Sequence, residues 1–228
     1  MEEAPCISQI ASLLADPKRT AMLWSLMDGS AKTSDELAAL AGLSAASANA
    51  HLARLAGGGL LRIEARRGKR LYRVAATDVS AAIDALASTT MASAARGSPL
   101  AIPQALAAPA SLRHARLCHG HLGGELAARL YRRMLEAGWI NRHEQRTDVT
   151  VKGARHLAGL GIYTQALASP LACDCVDWSQ QQPHLGGSLG VGLLQLFLQS
   201  GWIRVINESC ALLVTDTGLA QINRLTAP

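Results

Sequence analysis

The feature that most constrains the fold is a helix, a tight glycine turn, a second helix and a charged hairpin, which follow one another over residues 33–74. Thr33 or Ser34 caps a helix that ends at Gly42, and Ser44 opens the next helix, whose apolar positions recur at three- and four-residue spacing. Two alternating runs then flank a charged tip that contains a glycine, as in a β-hairpin with a short turn. This order predicts a helix-turn-helix followed by a wing.

Helical patterns surround this run on both sides. Asp16 and Pro17 predict the start of a helix that reaches Gly29, after a first helix over residues 8–15, and residues 78–95 form a further amphipathic helix. Ala and Leu dominate the apolar residues, which make up 49% of the chain, and both favour helices over long strands. The expected fold is therefore mainly α with short β-hairpins.

A break near residues 97–110 divides the 228 residues of the chain. Gly97, Ser98 and Pro99, with two later prolines, indicate a linker at this point. We expect an N-terminal winged helix-turn-helix domain over residues 1–96. A C-terminal α+β domain built from two repeats should then occupy residues 111–228.

The C-terminal region contains an internal repeat. Residues 121–140 and 184–203 match at ten of twenty positions without a gap, which indicates a duplication. Each copy continues into a hairpin-like stretch that ends in a matched turn, VTVKG in the first copy and VTDTG in the second. We therefore expect two helix-hairpin units, at 118–162 and 181–225.

A local basic patch lies on the predicted wing. Residues 62–73 hold six Lys or Arg against a single Glu, so this segment alone carries the +5 excess of the whole chain. Concentrated positive charge suits contact with phosphates, because neutralised phosphates release their condensed counterions. The wing therefore predicts a nucleic-acid partner.

Two segments together resemble the ArsR family of dimeric bacterial repressors. They are Asp16-Pro17-Lys18-Arg19 at the start of the second helix and the pattern LS-x6-HL-x2-L-x3-GLL that runs into the wing. The resemblance covers residues 8–95, which are about two fifths of the chain. It implies a homodimer that binds an inverted-repeat operator in double-stranded DNA, with the helix that follows Ser44 in the major groove.

The resemblance places DNA-reading residues on this helix, and the charge pattern adds residues of the wing. The helix residues are Ser44, Ser47, Asn49, Ala50, His51 and Arg54. The wing residues are Arg66, Arg67, Lys69 and Arg70. Asn can bind adenine through two hydrogen bonds, Ser and Ala adapt to several bases, and Arg54 suits a phosphate or solvent contact. His51 matches a common histidine of the family, and half-buried packing is its competing interpretation.

The sequence departs from the family at the family's known metal sites. Metal-sensing members carry a Cys-x-Cys type motif on the third helix, where this chain has no thiol between Glu36 and Leu40. Other members carry Asp and His ligands on the last helix of the domain, where Asp78 and Asp84 stand without a histidine. The family name therefore does not imply arsenic sensing by this chain, and the sequence identifies no cofactor.

Two clusters of potential ligands lie in the repeat region, which also resembles an extension found on some ArsR-like regulators. Sulfur, imidazole and carboxylate groups could meet across the duplicated halves and bind a soft metal, haem or an arsenical, or act as a thiol switch. The residues are Cys118, His119, His121, Cys173, Cys175, Asp177 and His184. Their spacing is not that of a zinc ribbon. Structural roles compete, because a free Cys is often a small buried hydrophobe and the two repeated His hold equivalent positions.

Three other interpretations of the C-terminal region stay open. Aromatic residues at 131, 139, 163, 178, 197 and 202 could line a cavity for an organic ligand, although Trp139 and Trp202 fit the core better as matched repeat positions. The region could instead be a small-molecule-transforming enzyme, but no nucleophile elbow or metalloprotease spacing supports a catalytic set. It could also be an architectural part that senses nothing.

Cysteine usage and hydropathy indicate the compartment. Five Cys, an odd number, in a chain without an export signal predict mainly reduced thiols. No apolar run reaches the ~18 residues of a membrane span. We therefore expect a cytoplasmic, sequence-specific transcription regulator rather than an enzyme, acting as a repressor that a small effector releases from DNA.

Overall fold

The computed structural model describes residues 7–95, 108–144 and 146–225, which pack as two units. Unit 1 comprises residues 7–82, 108–109 and 206–210, and unit 2 comprises residues 83–95, 110–144, 146–205 and 211–225. The linker predicted at 97–110 falls outside the described residues up to position 107. Among the helices of these three stretches, none combines the length and hydropathy needed to cross a bilayer.

Unit 1 holds the winged helix-turn-helix that the sequence predicted. Its elements are α1 (Ile7–Leu14), α2 (Pro17–Trp24), β1 (Lys32–Thr33), α3 (Ser34–Ala41), α4 (Ala45–Gly57), β2 (Leu61–Arg66), β3 (Lys69–Val74) and the first residues of α5 (Thr77–Ala95). Strand β3 lies between β1 and β2 and runs antiparallel to both. Helices with short antiparallel hairpins, as expected, make up the fold.

Side-chain caps explain where these helices begin. Asp16 accepts hydrogen bonds from two backbone N–H groups of the first turn of α2, at 2.9 and 3.0 Å, and Pro17 takes the first helical position. Thr33 and Glu36 form a reciprocal capping box at the start of α3. Gly42 ends α3 with a φ of +62°, the left-handed conformation that glycine adopts without a steric penalty.

The core of unit 1 lies between α2, α3, α4 and the sheet. Fully buried members are Met22, Leu23, Leu26, Met27, Leu37, Leu52, Leu55 and Val74. The α-helical part of α2 ends at Trp24, although the sequence predicted a helix to Gly29. Tighter hydrogen bonds, from the N–H of Leu26 to Leu23 and from Met27 to Trp24, continue the chain as turns that still carry both side chains into the core.

Unit 2 runs twice through the order hairpin, helix, hairpin, helix. The first run is β4 (Arg116–Cys118), β5 (His121–Gly123), α7 (Glu125–Glu136), β6 (Ile140–His143), β7 (Arg146–Val149) and α8 (Val151–Gly159). The second is β8 (Cys173–Val176), β9 (Pro183–Gly186), α9 (Gly187–Gln199), β10 (Ile203–Val205), β11 (Leu212–Val214) and α10 (Asp216–Leu225). A short helix α6 (Ala110–His114) precedes the first run, and a 3₁₀ turn (Thr164–Ala166) separates the two.

The hairpins end at the matched sequences VTVKG and VTDTG, as expected, since Val149 and Val214 are the last residues of β7 and β11. The turn expected after each hairpin is the first turn of a helix. Thr150 accepts a hydrogen bond from the N–H of Gly153 at 2.9 Å, and Thr215 accepts one from Gly218 at 3.0 Å. Both threonines therefore cap a first helical turn, of α8 and of α10. The observed runs also begin earlier than the units predicted at 118–162 and 181–225, because each includes the first hairpin strand.

The helices of the two runs are exchanged within unit 2. Helix α7 packs mainly on β9 of the second run, and α9 packs mainly on β5 of the first. Leu126, Leu130 and Met134 of α7 are buried together with Leu189, Leu193 and Phe197 of α9. Neither run therefore closes a core alone, and the first hairpins of the two runs come together at its centre.

Helix α5 contributes its residues from Ile83 onward to unit 2. Ile83, Asp84 and Ser88 are buried, and Asp84 and Ser88 contact Arg116 and Cys118 of the β4 strand. The boundary between the two packed units therefore lies after residue 82, whereas the sequence predicted an N-terminal domain that extends to residue 96. Hydropathy along a helix shows which face is buried but does not show what covers that face.

Candidate functional site

The exposed face of α4 and its N-cap carry five of the six DNA-reading residues predicted for this helix. Its exposed members are Ser44, Ser47, Asn49, Ala50 and Arg54. Ala48, Leu52 and Leu55 are buried on the opposite face. Ser44 is the N-cap, since its Oγ accepts a hydrogen bond from the N–H of Ser47 at 3.2 Å. Helix α4 therefore begins with a short polar surface that an amide side chain and two hydroxyl groups share.

His51 lies at the edge of this surface and is half-buried. Its Nδ1 is 3.5 Å from a guanidinium nitrogen of Arg19 and 3.8 Å from Asp16 Oδ2. The hydrogen bond from the backbone of Arg19 lowers the pKa of Asp16, against a smaller effect of desolvation. The imidazole thus packs on the start of α2, which agrees with the packing interpretation of this histidine.

The wing places four cations at its tip. Strands β2 and β3 are joined by Arg67 and Gly68, with φ values of +50° and +74°, which is the geometry of a two-residue primed turn. Arg66, Arg67, Lys69 and Arg70 are all exposed. The tip therefore carries a charge of +4 on a loop that is free of carboxylates.

The other two cations of the basic segment lie at the base of the wing and are paired. Arg62 donates to Glu64 at 2.8 Å and also forms an ion pair with Glu208. Arg73 lies 3.5 Å from carboxylate oxygens of the same two residues. Sequence reasoning missed Glu208 because it lies 146 residues after Arg62. The base of the wing is thus neutral, and the positive charge is confined to its tip.

Four of the seven predicted ligands in unit 2 come together. The ligand atoms of Cys118, His121, Cys175 and His184 all lie within 4.8 Å of one another. The two sulfur atoms are 3.9 Å apart, and the two Nε2 atoms are 3.1 Å apart. We call this group the Cys/His cluster. Cys118 and His184 are fully buried, His121 is 5% exposed, and Cys175 is half-buried.

Each hairpin supplies one Cys and one His from directly opposite positions. Cys118 faces His121 across β4 and β5, and Cys175 faces His184 across β8 and β9. Opposite residues on antiparallel strands project on the same side of the sheet with their Cβ atoms roughly 5 Å apart. The first hairpin closes with a two-residue turn and the second with a longer loop, so the two Cys-to-His spacings differ along the sequence although the registers agree.

Close packing of glycines covers the cluster. A Cβ atom on Gly190 would overlap the carbonyl oxygen of Leu185 and lie 3.1 Å from the Cβ of His121. A Cβ on Gly186 would lie 2.9 Å from Cys173 Sγ and 3.4 Å from the ring of His121. Gly123, which matches Gly186 in the first run, is packed in the same way, since a Cβ atom there would lie 2.8 Å from the Cβ of Cys118.

The two thiols of the cluster are shifted in opposite directions in pKa by the hydrogen bond that joins them. The hydrogen bond to Cys175 raises the pKa of Cys118, and burial raises it further. The same hydrogen bond lowers the pKa of Cys175, which outweighs the effect of burial there. The first thiolate of the pair therefore forms on Cys175, beside the neutral thiol of Cys118.

The remaining predicted ligands lie outside the cluster. His119 is exposed in the β4–β5 turn, with its Nδ1 3.5 Å from Cys118 Sγ. Cys173 faces Gly186, two residues before Cys175 on the same strand, which places it about 6.6 Å further along β8. Asp177 binds the backbone N–H of Gly124 at 2.6 Å and those of Ser179 and Gln180. It shapes the β8–β9 loop and does not face the cluster.

A buried ion-pair network lies beside the cluster, formed by residues that are far apart in the sequence. Arg116 is fully buried, donates to Asp84 at 2.8 Å and lies 2.9 Å from Asp177. Its guanidinium lies 4.3 Å from the ring centroid of Trp178, whose Nε1 donates to Asp84 at 2.8 Å. Burial alone would raise the pKa of Asp177, but Arg116 and the hydrogen bonds of the loop lower it overall.

An apolar cavity lies between α7 and α9. It is lined mainly by Leu122, Leu130, Tyr131, Leu185, Leu193 and Phe197, and its empty volume, including its open mouth, is about 260 Å³. Because that volume includes open solvent, the enclosed space is well below the roughly 300–1,000 Å³ of pockets that hold organic molecules. Trp139 and Trp202, which could have lined such a pocket, stack instead on His156 and Phe197. The cavity is small for an organic effector.

Comparison with known proteins identifies one relative over nearly the whole chain. An uncharacterized HTH-type transcriptional regulator of Bacillus subtilis (strain 168), YdfF, is 32% identical over 220 residues that cover 94% of each chain. No family model matches the chain.

Two solved structures are similar to a part of the chain. Reduced HlyU from Vibrio cholerae N16961 is 26% identical over 35% of this chain and 82% of its own, with a TM-score of 0.32. The cadmium metal-sensor CMTR from Mycobacterium tuberculosis is 28% identical over 34% of this chain and 79% of its own, with a TM-score of 0.31. At these TM-scores, neither likeness carries a conclusion about this chain.

Proposed function

This chain belongs to the HTH-type transcriptional regulators, and from that premise we propose that it is an ArsR-like repressor that binds an inverted-repeat operator as a homodimer and leaves it when unit 2 binds a small effector. Helix α4 reads bases in the major groove, and the wing contacts phosphates. Unit 2 carries the effector site.

The observation that carries this proposal is the division of polar groups in unit 1. Asn49 lies exposed on α4, where an amide can bind adenine through two hydrogen bonds. The four exposed cations of the wing tip carry charge without the directional geometry of base reading. Contacts to phosphates position a protein on DNA, and contacts to base edges specify the sequence. In this proposal the wing supplies the phosphate contacts and α4 supplies the base contacts.

Helix α1 supports the homodimer. None of its eight residues is buried, and Ile7 is 88% exposed. Its apolar residues recur on one face, at Ile7, Ile10 and Leu14. An exposed apolar face of this kind is stabilised when a partner covers it, and a second copy of unit 1 provides a matching face.

The proposal predicts a two-fold symmetric operator. Because one reader helix contacts too little DNA for specific binding, the full-length protein should enrich an inverted repeat from random duplexes, with half-sites about one helical turn or a multiple apart. Light scattering at micromolar concentration should give the mass of a dimer. A monomeric protein that enriches no sequence contradicts the proposal.

A further inference from the structure

We propose that Cys118, His121, Cys175 and His184 form a tetrahedral binding site for a thiophilic divalent cation of the Zn²⁺ class, and that this cation is the effector of unit 2. The role of the cation as effector rests on the proposed function. The binding site rests on the geometry of the Cys/His cluster alone.

The distances between the ligand atoms match those of a tetrahedral centre. Bonds of about 2.3 Å to sulfur and about 2.0–2.1 Å to nitrogen place two sulfurs about 3.8 Å apart and two nitrogens about 3.3 Å apart at tetrahedral angles. The observed separations are 3.9 Å for the Sγ atoms and 3.1 Å for the Nε2 atoms. These two separations therefore differ from the tetrahedral values by only a few tenths of an ångström, and all four ligand atoms lie within 4.8 Å of one another.

The chemistry of the donors selects the class of cation. Two thiolates and two imidazoles suit Zn²⁺ and related soft or borderline ions, whereas Mg²⁺ and Ca²⁺ require oxygen ligands. The buried carboxylates of Asp84 and Asp177 are bound to Arg116 and do not belong to the cluster. On binding, the cation takes the place of the two thiol protons, which leave to solvent, and each imidazole binds through its Nε2 lone pair.

Four protein ligands leave the cation no open position. Catalytic zinc sites keep one position for water or substrate, while closed sites with four ligands hold structure together. Here the ligands come from the first hairpins of both runs, so a bound cation would cross-link β4–β5 to β8–β9. Occupancy therefore changes how firmly the two runs are held, which is the property a sensing site requires.

One contact connects the cluster to α5. Ser88 on α5 lies 4.0 Å from Cys118 Sγ, and Asp84 on the same helix binds Arg116, two residues before Cys118. Helix α5 directly follows the wing strand β3 in the chain. A cation that fixes the position of Cys118 therefore also affects α5, the helix that follows the wing in the chain.

The test uses Co²⁺ and Zn²⁺ with the full-length reduced protein after treatment with a chelator. Co²⁺ should bind at one ion per chain, with visible bands typical of tetrahedral coordination and near-ultraviolet charge-transfer bands from two thiolates. Zn²⁺ should displace it. Cys175→Ser should weaken binding by more than about 100-fold, since losses in the surroundings of a metal ligand alone cost 10- to 100-fold.

A matched control variant lies next to the ligands. Cys173→Ser, on the same strand as Cys175, should bind Co²⁺ like the wild type, in contrast to Cys175→Ser and His121→Ala. Circular dichroism checks the fold of each variant, and the wild-type spectrum counts the thiolates even where a variant does not fold.

Several results overturn the inference. The first is a folded wild-type protein that shows no tetrahedral Co²⁺ bands. The second is a Co²⁺ spectrum with octahedral bands. The third is equal Co²⁺ binding by Cys175→Ser and Cys173→Ser. In each case the His121–His184 contact is a hydrogen bond between imidazoles and the thiols are structural. Operator binding by the same samples separates the two proposals, because a protein that binds DNA but no Co²⁺ retains the proposed repressor function and lacks this site.

Discussion

Replacing Arg66, Arg67, Lys69 and Arg70 together by Ala should lower the affinity for all duplex DNA, on the order of a thousandfold at low salt. The four side chains are exposed at the wing tip, whereas Arg62 and Arg73 at its base are neutralised by Glu64 and Glu208. If each of the four side chains contacts one phosphate, the proposed dimer loses eight phosphate contacts. At about 0.9 counterions for each phosphate, the slope of log K against log salt concentration should flatten by up to about 7.

Asn49→Ala is the matched contrast to the wing variant. It should relax sequence preference at one base pair in each half-site, at about 1–3 kcal/mol for each lost pair of hydrogen bonds, and leave the salt slope unchanged. Fluorescence anisotropy with operator and unrelated duplexes at several salt concentrations measures both quantities. Wild-type affinity and salt slope in the wing variant would show that the tip does not contact DNA.

The second large effect concerns the fold of unit 2, where Gly153→Ala should destabilise the protein by about 3 kcal/mol. A Cβ atom at Gly153 would overlap the backbone of Trp139, whose carbonyl oxygen already accepts a hydrogen bond from Thr150 at 3.0 Å. Backbone cannot rotate aside as a side chain does, so α8 would have to move off the β6–β7 hairpin. The matched Gly218 meets Trp202 in the same way in the second run.

Gly159 provides a control in the same helix. A Cβ atom there meets nothing within 4 Å, and the position is exposed at the end of α8. Gly159→Ala should therefore leave stability unchanged or raise it by about 0.5–1 kcal/mol. In thermal unfolding, Gly153→Ala should lower Tm by roughly 6–12 °C. Equal Tm values for the two variants would mean that α8 does not sit on Trp139 as described.

Local signals made unit 1 predictable from the sequence. The Asp16-Pro17 start of α2, the Ser44 cap of α4 and the Gly68 turn each depend on residues within one turn of chain, and all three are present. The cluster was predictable only as a larger set. The sequence indicates seven potential ligands. Four of them form two Cys-His pairs at the same strand register, but the loops after Cys118 and Cys175 differ in length, so this common register is not visible in the sequence.

Non-local contacts account for what the sequence did not show. The pairing of Glu208 with Arg62 joins residues 146 positions apart, so the charge of the wing base could not be read from its own segment. The exchange of α7 and α9 between the two runs likewise follows from packing. Periodicity shows that Leu126 and Leu189 are buried, but it does not show that each covers the hairpin of the other run.

The most direct test of the account is the affinity for the selected operator of chelator-treated wild-type protein, measured by anisotropy with and without one equivalent of Zn²⁺, beside Cys175→Ser and Cys173→Ser. If the cluster controls DNA binding, Zn²⁺ should lower the affinity of the wild type and Cys173→Ser 5- to 150-fold, a coupling of about 1–3 kcal/mol, and leave Cys175→Ser unchanged. An affinity that Zn²⁺ does not alter in the wild type, or alters equally in Cys175→Ser, contradicts the account.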